Sequence, residues 1–312
     1  MFAHKGPVSR ILVIGDIHGD LSKAMACAAI AGVALPDGSW RKDVPPNTVV
    51  VQVGDQLDGA PRLSSSRRPS GRRSARGGVP EHDCEKAVIG DLQVLQFFDE
   101  LDRQAKAAGR GCRVYSLLGN HEMNNADGNI DYADVCKHCR GTRQEFFKRG
   151  SSLAGHLAST RHVCMTVAGV LFAHAGVCPR HLRSLDVADR AAAAFLRGTA
   201  TQEQMRIMDD DVTGPEGMLC HRDYAPDEKR RKVTTKHVEE VLKATGCNAM
   251  VLGHNAHSTD GGITSLHENR VWVVDPGMSS SIFGAPAAVL QINFGKSGQY
   301  GDMTIRTLRA AK

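Results

Sequence analysis

Five apolar runs that each stop at a carboxylate, an imidazole or a carboxamide constrain this chain more than any other feature. They are RILVIGD (10–16), TVVVQVGD (48–55), RVYSLLGN (113–120), GVLFAHAG (169–176) and AMVLGHN (249–255). Rich in Val, Ile and Leu, they read as buried strands whose C-terminal ends deliver polar side chains into loops. Between them, residues 21–32 and 84–109 repeat apolar positions at three and four, and Gly109 supplies a stop for the second pattern. Strand and helix alternate through the first half, which predicts an α/β architecture. Toward the C-terminus, short strands are expected around 262–266, 270–275, 287–293 and 302–307, implying a second, partly antiparallel sheet.

With 41% hydrophobic and 23% charged residues in a 312-residue chain, a sizeable buried core is expected. No apolar run approaches the roughly 18 residues of a membrane span. The N-terminus, MFAHKGPVSRILVIGDIHGD, leads into acidic and histidine residues, not a small-residue cleavage site, so the expected compartment is the cytosol. The nine cysteines are scattered, several in apolar segments, as suits reduced buried thiols. Cys136 and Cys139 form a close pair, and a zinc site there would need two more ligands from Cys84, Cys112 or His138, the alternative being packed or solvent-facing thiols.

The net charge of +5 is not spread evenly, because residues 62–76 hold six arginines and no acid. Within SSSRRPSGRRSARGG the composition cannot bury enough apolar surface to order itself, so a mobile insertion is expected at about 62–82. A nucleic-acid or nuclear-import patch is the other reading of this run.

The strand ends carry Asp16 and His18, Asp55 and Asp58, Asn120 and His121, His174, and His254. Carboxylates, imidazoles and one carboxamide are a ligand set for a pair of divalent ions such as manganese, iron or zinc, and no thiolate is needed. A carboxylate can bridge two ions where a neutral imidazole cannot, and Asp55 is assigned the bridge. Such a pair lowers the pKa of a bound water and neutralises charge on a phosphoryl oxygen. His121, beside Asn120, is placed to protonate the leaving group, with Asp58 orienting it.

With GDIHGD (15–20), GDQLDG (54–59), GNHE (119–122), HAG (174–176) and GHN (253–255) in this order, the chain resembles the calcineurin-like metallophosphoesterases and, within them, the phosphoprotein phosphatase superfamily. The blocks GPEGMLCHRDY (214–224) and VVDPGMSSSIFG (273–284) are similar to the Shewanella-like phosphatase branch. The resemblance covers roughly residues 10–294. It implies an αββα sandwich of two mixed β-sheets flanked by helices, forming a single domain over 1–312. It further implies Asp16, His18 and Asp55 at one metal, Asp55, Asn120, His174 and His254 at the second, His121 as proton donor and Asp58 as its support. Ala256 stands where some relatives carry a second histidine ligand, so His257 is not expected to bind metal.

One position departs from the pattern. The family usually continues its second block as Asp-Arg-Gly, an arginine that grips two phosphate oxygens at once, and here that position is Gly59. Arg62 and Arg222 are the candidate replacements, the second matching a phosphate-binding arginine of the resembling branch. The expected activity is hydrolysis of phosphomonoesters, phosphoprotein foremost, by direct attack of a hydroxide bound to the metal pair. The alternatives are a nucleotide or dinucleoside polyphosphate hydrolase, and an inactive phosphatase-like module that binds RNA or a partner through its arginine run.

Overall fold

The computed structural model describes residues 1–59, 81–133, 137–257, 262–295 and 303–309, with the side chains of 81–88 and 137–139 outside that description. Each of the five apolar runs forms a strand: β2 (Arg10–Ile14), β3 (Thr48–Gln52), β4 (Arg113–Leu117), β7 (Val170–Ala173) and β8 (Ala249–Leu252). The remaining strands are β1 (Phe2–Ala3), β5 (Arg161–His162), β6 (Cys164–Val167), β9 (Thr264–Leu266), β10 (Val271–Val273), β11 (Ala288–Asn293) and β12 (Thr304–Arg309). Among the described residues they make two six-stranded sheets, ordered β1-β6-β7-β8-β10-β9 and β12-β11-β2-β3-β4-β5.

Both sheets are mixed. β2 through β5 run parallel, as do β7, β8 and β10, while β9, β11 and β12 add antiparallel edges. The four C-terminal strands therefore do not share a sheet of their own. β9 and β10 extend the sheet that holds β8, whereas β11 pairs antiparallel with β2, joining Val289 to Ile14 and Asn293 to Arg10. The spacing of short strands reveals hairpins but not which edge each hairpin completes.

Alternation along the strands explains the layering. Ile11, Val13, Val49 and Val51 face Phe172, Val170 and Val251 of the opposing sheet, closing a core between the sheets. Their neighbours Leu12, Ile14 and Val50 point the other way, onto helix α1 (Leu21–Ile30) and helix α2 (Glu81–Ala107). α1 begins where the Asp20 side chain accepts from Lys23 N at 3.1 Å. α2 presents Val94, Phe98, Leu101 and Ala105, a stripe at three- and four-residue spacing.

On the far side, Leu171, Ala173, Met250 and Leu252 pack against helices α5 (Ser152–Thr160), α6 (Leu185–Leu196) and α8 (Thr235–Thr245). Short helices α3 (Asn120–Ala126) and α4 (Lys137–Phe147) follow β4, and α7 (Gln202–Ile207) follows α6. The order helix, sheet, sheet, helix is the αββα sandwich. No helix among the described residues is long and apolar enough to cross a membrane.

Candidate active site

The polar residues that end β2, β3, β4, β7 and β8 converge, because parallel strands aim their C-terminal ends at one edge of the sandwich. The chain leaves these strands in tight turns. His18, Asp55, Asp58 and His254 adopt left-handed φ values of 45°, 53°, 69° and 61°, uncommon for residues other than glycine. Each such residue costs on the order of 1–3 kcal/mol, held by the surrounding structure.

Asp55 sits at the centre. It belongs to two buried trios, His18–Asp55–His121 and Asp55–His174–His254, in each of which one potential ligand atom per residue lies within 4.8 Å of the others. Its Oδ2 is 3.3 Å from His174 Nε2, 3.8 Å from His121 Nε2 and 3.9 Å from His18 Nε2. The Asn120 carboxamide oxygen joins the second group, 3.1 Å from His174 Nε2.

Each candidate ligand ring has one nitrogen tied to a carbonyl: His18 Nδ1–H donates to Leu57 O, His174 Nδ1–H to Val53 O, and His254 Nε2–H to Cys220 O. That makes the opposite nitrogen of each ring the one a metal would take, from the neutral tautomer, in place of a proton. Burial alone would raise the Asp55 pKa, but the imidazoles of His174, His121 and His18 carry it well below the usual carboxylate range.

Asp16 is outside both trios. Its carboxylate accepts from His254 N at 3.0 Å and shares a hydrogen bond with Asp275, a residue sequence reasoning did not select. Burial, then Asp275 and Asp55, push Asp16 well above the ordinary range, and burial likewise raises Asp275. Three carboxylates this close, with imidazole lone pairs turned inward, form a donor set suited to divalent cations. Asp275 ends β10 in the same way that Asp16 ends β2, so the strand-end pattern itself was the signal that could have found it.

His121 and Asp58 form a pair, Nδ1 to Oδ2 at 2.5 Å, with both residues buried. Burial opposes the Asp58 charge, but the contacts with His121 and Arg143 bring its pKa down. Asn125 donates to both Asp58 oxygens, at 3.0 and 3.2 Å, and to His121 O at 2.8 Å. Glu122, the last letter of GNHE, acts as a staple. Its carboxylate accepts from the backbone N–H groups of Gly119, Asp55, Gln56 and Leu57, fixing the turn that presents Asp55.

Gly59 has a steric cause. A Cβ there would stand 2.8 Å from His18 O and 2.9 Å from Gly19 Cα, both backbone atoms, while a Cβ on Gly19 would meet Asp91 Oδ1 at 2.3 Å. The turns after β2 and β3 thus touch backbone to backbone. Gly59→Arg is expected to destabilise the fold by about 1–3 kcal/mol, the scale of overpacking, and a thermal midpoint unchanged by this substitution would contradict the packing argument.

Arg62 lies outside the described residues, as do the rest of the 62–76 run and Cys136, along with the side chains of Cys84, His138 and Cys139. Cys112 is buried with its thiol 3.4 Å from Pro45 O. Arg222 stands exposed at the rim, its Nη1 donating to His254 O at 2.9 Å. His257 has Nδ1 bound to Asn255 O and Nε2 to Thr264 Oγ1.

A further trio, Cys178, His181 and His221, lies behind the Arg222 loop. Its imidazoles are spent on the backbone: His181 accepts from Cys178 N and donates to Glu216 O, and His221 donates to Gly176 O. Burial lowers both imidazoles to about 4 and lifts the Cys178 thiol to about 12. The trio is a neutral, hydrogen-bonded knot that braces the loop.

Comparisons with known proteins point to one family. The profile of the calcineurin-like phosphoesterase family matches residues 9–258. An uncharacterized protein of Schizosaccharomyces pombe is 26% identical over 293 residues, covering 91% of this chain and 77% of that protein. Shewanella-like protein phosphatase 2 of Arabidopsis thaliana is 32% identical over 123 residues, 39% of this chain and 23% of that protein. The crystal structure of a cold-active protein-tyrosine phosphatase from a psychrophilic Shewanella species superposes with a TM-score of 0.67 at 20% identity, covering 98% of this chain and 81% of that one. A strand-end site of clustered aspartates and histidines, on a sandwich matched by this profile over most of its length, makes the chain a member of the calcineurin-like phosphoesterase family.

Proposed function

We propose that this chain is a phosphomonoesterase that works with two divalent ions and acts on phosphoprotein. The observation that carries the reading is the position of Asp55, common to both ligand trios. In this assignment Asp16, His18 and Asp55 hold one ion, and Asp55, Asn120, His174 and His254 hold the other. Manganese is the first choice, with iron and zinc as alternatives that this ligand set also accepts. When bound, such ions lower the pKa of a coordinated water and neutralise phosphoryl charge during in-line displacement.

The chain's own residues do the rest. Asp58 holds Nδ1 of His121, so that Nε2 faces the centre from 3.8 Å beyond Asp55 Oδ2. The negative charge of Asp58 favours the imidazolium, whose Nε2–H passes its proton to the leaving oxygen. Arg222 offers its guanidinium to the phosphate at the rim, and Arg62 is the second candidate for that grip. The phosphoprotein preference is supported by the likeness to a plant protein named as a protein phosphatase. Catalysis is assigned to one domain spanning 1–312, working in the cytosol.

The test is turnover of p-nitrophenyl phosphate with manganese, followed by phosphotyrosine peptide, phosphoserine peptide and diadenosine tetraphosphate. Turnover of the last alone would replace the phosphoprotein reading with nucleotide hydrolysis, and no turnover by the metal-loaded protein would leave a binding module. Deleting residues 64–78 while keeping Arg62 is expected to leave p-nitrophenyl phosphate turnover within about twofold, since an Arg/Ser/Gly-rich composition can bury little apolar surface. Abolished turnover in that deletion would place the segment in the site.

A further inference from the structure

Arg143 is fully buried, an unusual state for an arginine, and it reaches its partners across long sequence separations. It projects from α4, and its guanidinium makes three contacts. Nη2 donates to Asp58 Oδ1 at 2.6 Å, Nε donates to Asn125 Oδ1 at 2.7 Å, and Nη1 lies 2.7 Å from Asp91 Oδ2 of α2. The last contact is an ion pair without hydrogen-bond alignment. The Phe147 ring closes the face of the guanidinium, with Cζ 4.8 Å from the ring centre.

These contacts distribute the Asp58 oxygens. Oδ1 is taken by Arg143 and Asn125, which leaves Oδ2 for its shortest contact, with His121. Because Asn125 Oδ1 must accept from Arg143, its amide nitrogen is turned toward Asp58 and His121 O. One planar group therefore fixes Asp58, which holds the His121 ring, and Asn125, which holds the His121 carbonyl. A lysine, with a single ammonium, cannot satisfy all three directions.

We infer that Arg143 is a positioning residue for proton transfer, setting the orientation of Asp58 and, through it, of His121. The inference rests on the reading of His121 as the proton donor. Its alternative is a purely structural role, tying α4 and α2 to the core. The two differ in what a substitution does to leaving groups of different basicity. A misaligned proton donor slows departure of a basic phenolate and hardly affects an acidic one, whereas a loosened fold slows both alike.

The experiment compares phenyl phosphate with 2,4-dinitrophenyl phosphate for wild type, Arg143→Lys, Asp91→Asn and His121→Ala, each with metal content and thermal midpoint measured. Arg143→Lys is expected to lose about tenfold in kcat on phenyl phosphate and less than about twofold on the dinitrophenyl ester, with KM and metal content unchanged. Asp91→Asn preserves side-chain shape while weakening the hold on the guanidinium, and gives the same split with smaller amplitude. It carries the test if Arg143→Lys does not fold. Equal losses on both esters, or no loss on either, in the folded variants would overturn the assignment. If His121→Ala itself shows no split, the proton-donor reading has failed; a split there without one at positions 143 and 91 refutes Arg143 alone.

Discussion

On the proposed two-ion reading, Asp55→Asn is expected to lower bound metal from two ions to fewer than one and to cut turnover at least about a thousandfold, the scale of removing a preorganised electrostatic group. The substitution changes charge and little else. His121 N donates to Asp55 Oδ1 at 3.0 Å, a bond the asparagine oxygen can still accept, and the Glu122 staple grips backbone and not the side chain. What goes is the anionic Oδ2 that His174, His121 and His18 all face. A neutral carboxamide oxygen supports one cation poorly and two hardly at all. Elemental analysis checks the result directly, and two ions retained per chain in the variant would remove Asp55 from the bridge.

His121→Ala is expected to reduce kcat on phenyl phosphate by about 10²–10⁴, the usual contribution of a positioned general acid. Metal content should stay near wild type, because this reading gives His121 no ion of its own. That expectation is a sharp one, since the His121 ring lies 4.8 Å from that of His18 and shares a trio with it. A variant that loses one ion along with its activity would make His121 a ligand and leave proton transfer to another group.

The fold was legible where the physics is local. RILVI, TVVVQ and VLFA are continuous β-branched or apolar runs, and each became a strand buried on both faces. Asp16, His18, Asp55, Asn120, His121, His174 and His254 could be read as one constellation because each follows the C-terminal end of a strand, β2, β3 and β4 in one sheet and β7 and β8 in the other. Arg143 could not. RGTRQEFF looks like any charged helix, and only the tertiary fold brings residue 143 to Asp58, 85 positions away. Asn125 and Asp91 were hidden for the same reason. Gly59 was noticed as a missing arginine, but its packing on Gly19 needed coordinates.

The left-handed turns at His18, Asp55, Asp58 and His254 bear on how this protein could change under selection. Glycine relaxes such a backbone, so a library screened for heat tolerance alone should accumulate glycine at His18 and His254, gaining robustness as it discards turnover, but not at Asp58, where it would leave the buried Arg143 charge unpaired. Keeping both pressures on at once would drive the gains elsewhere, toward helix surfaces and loops that the chemistry does not touch.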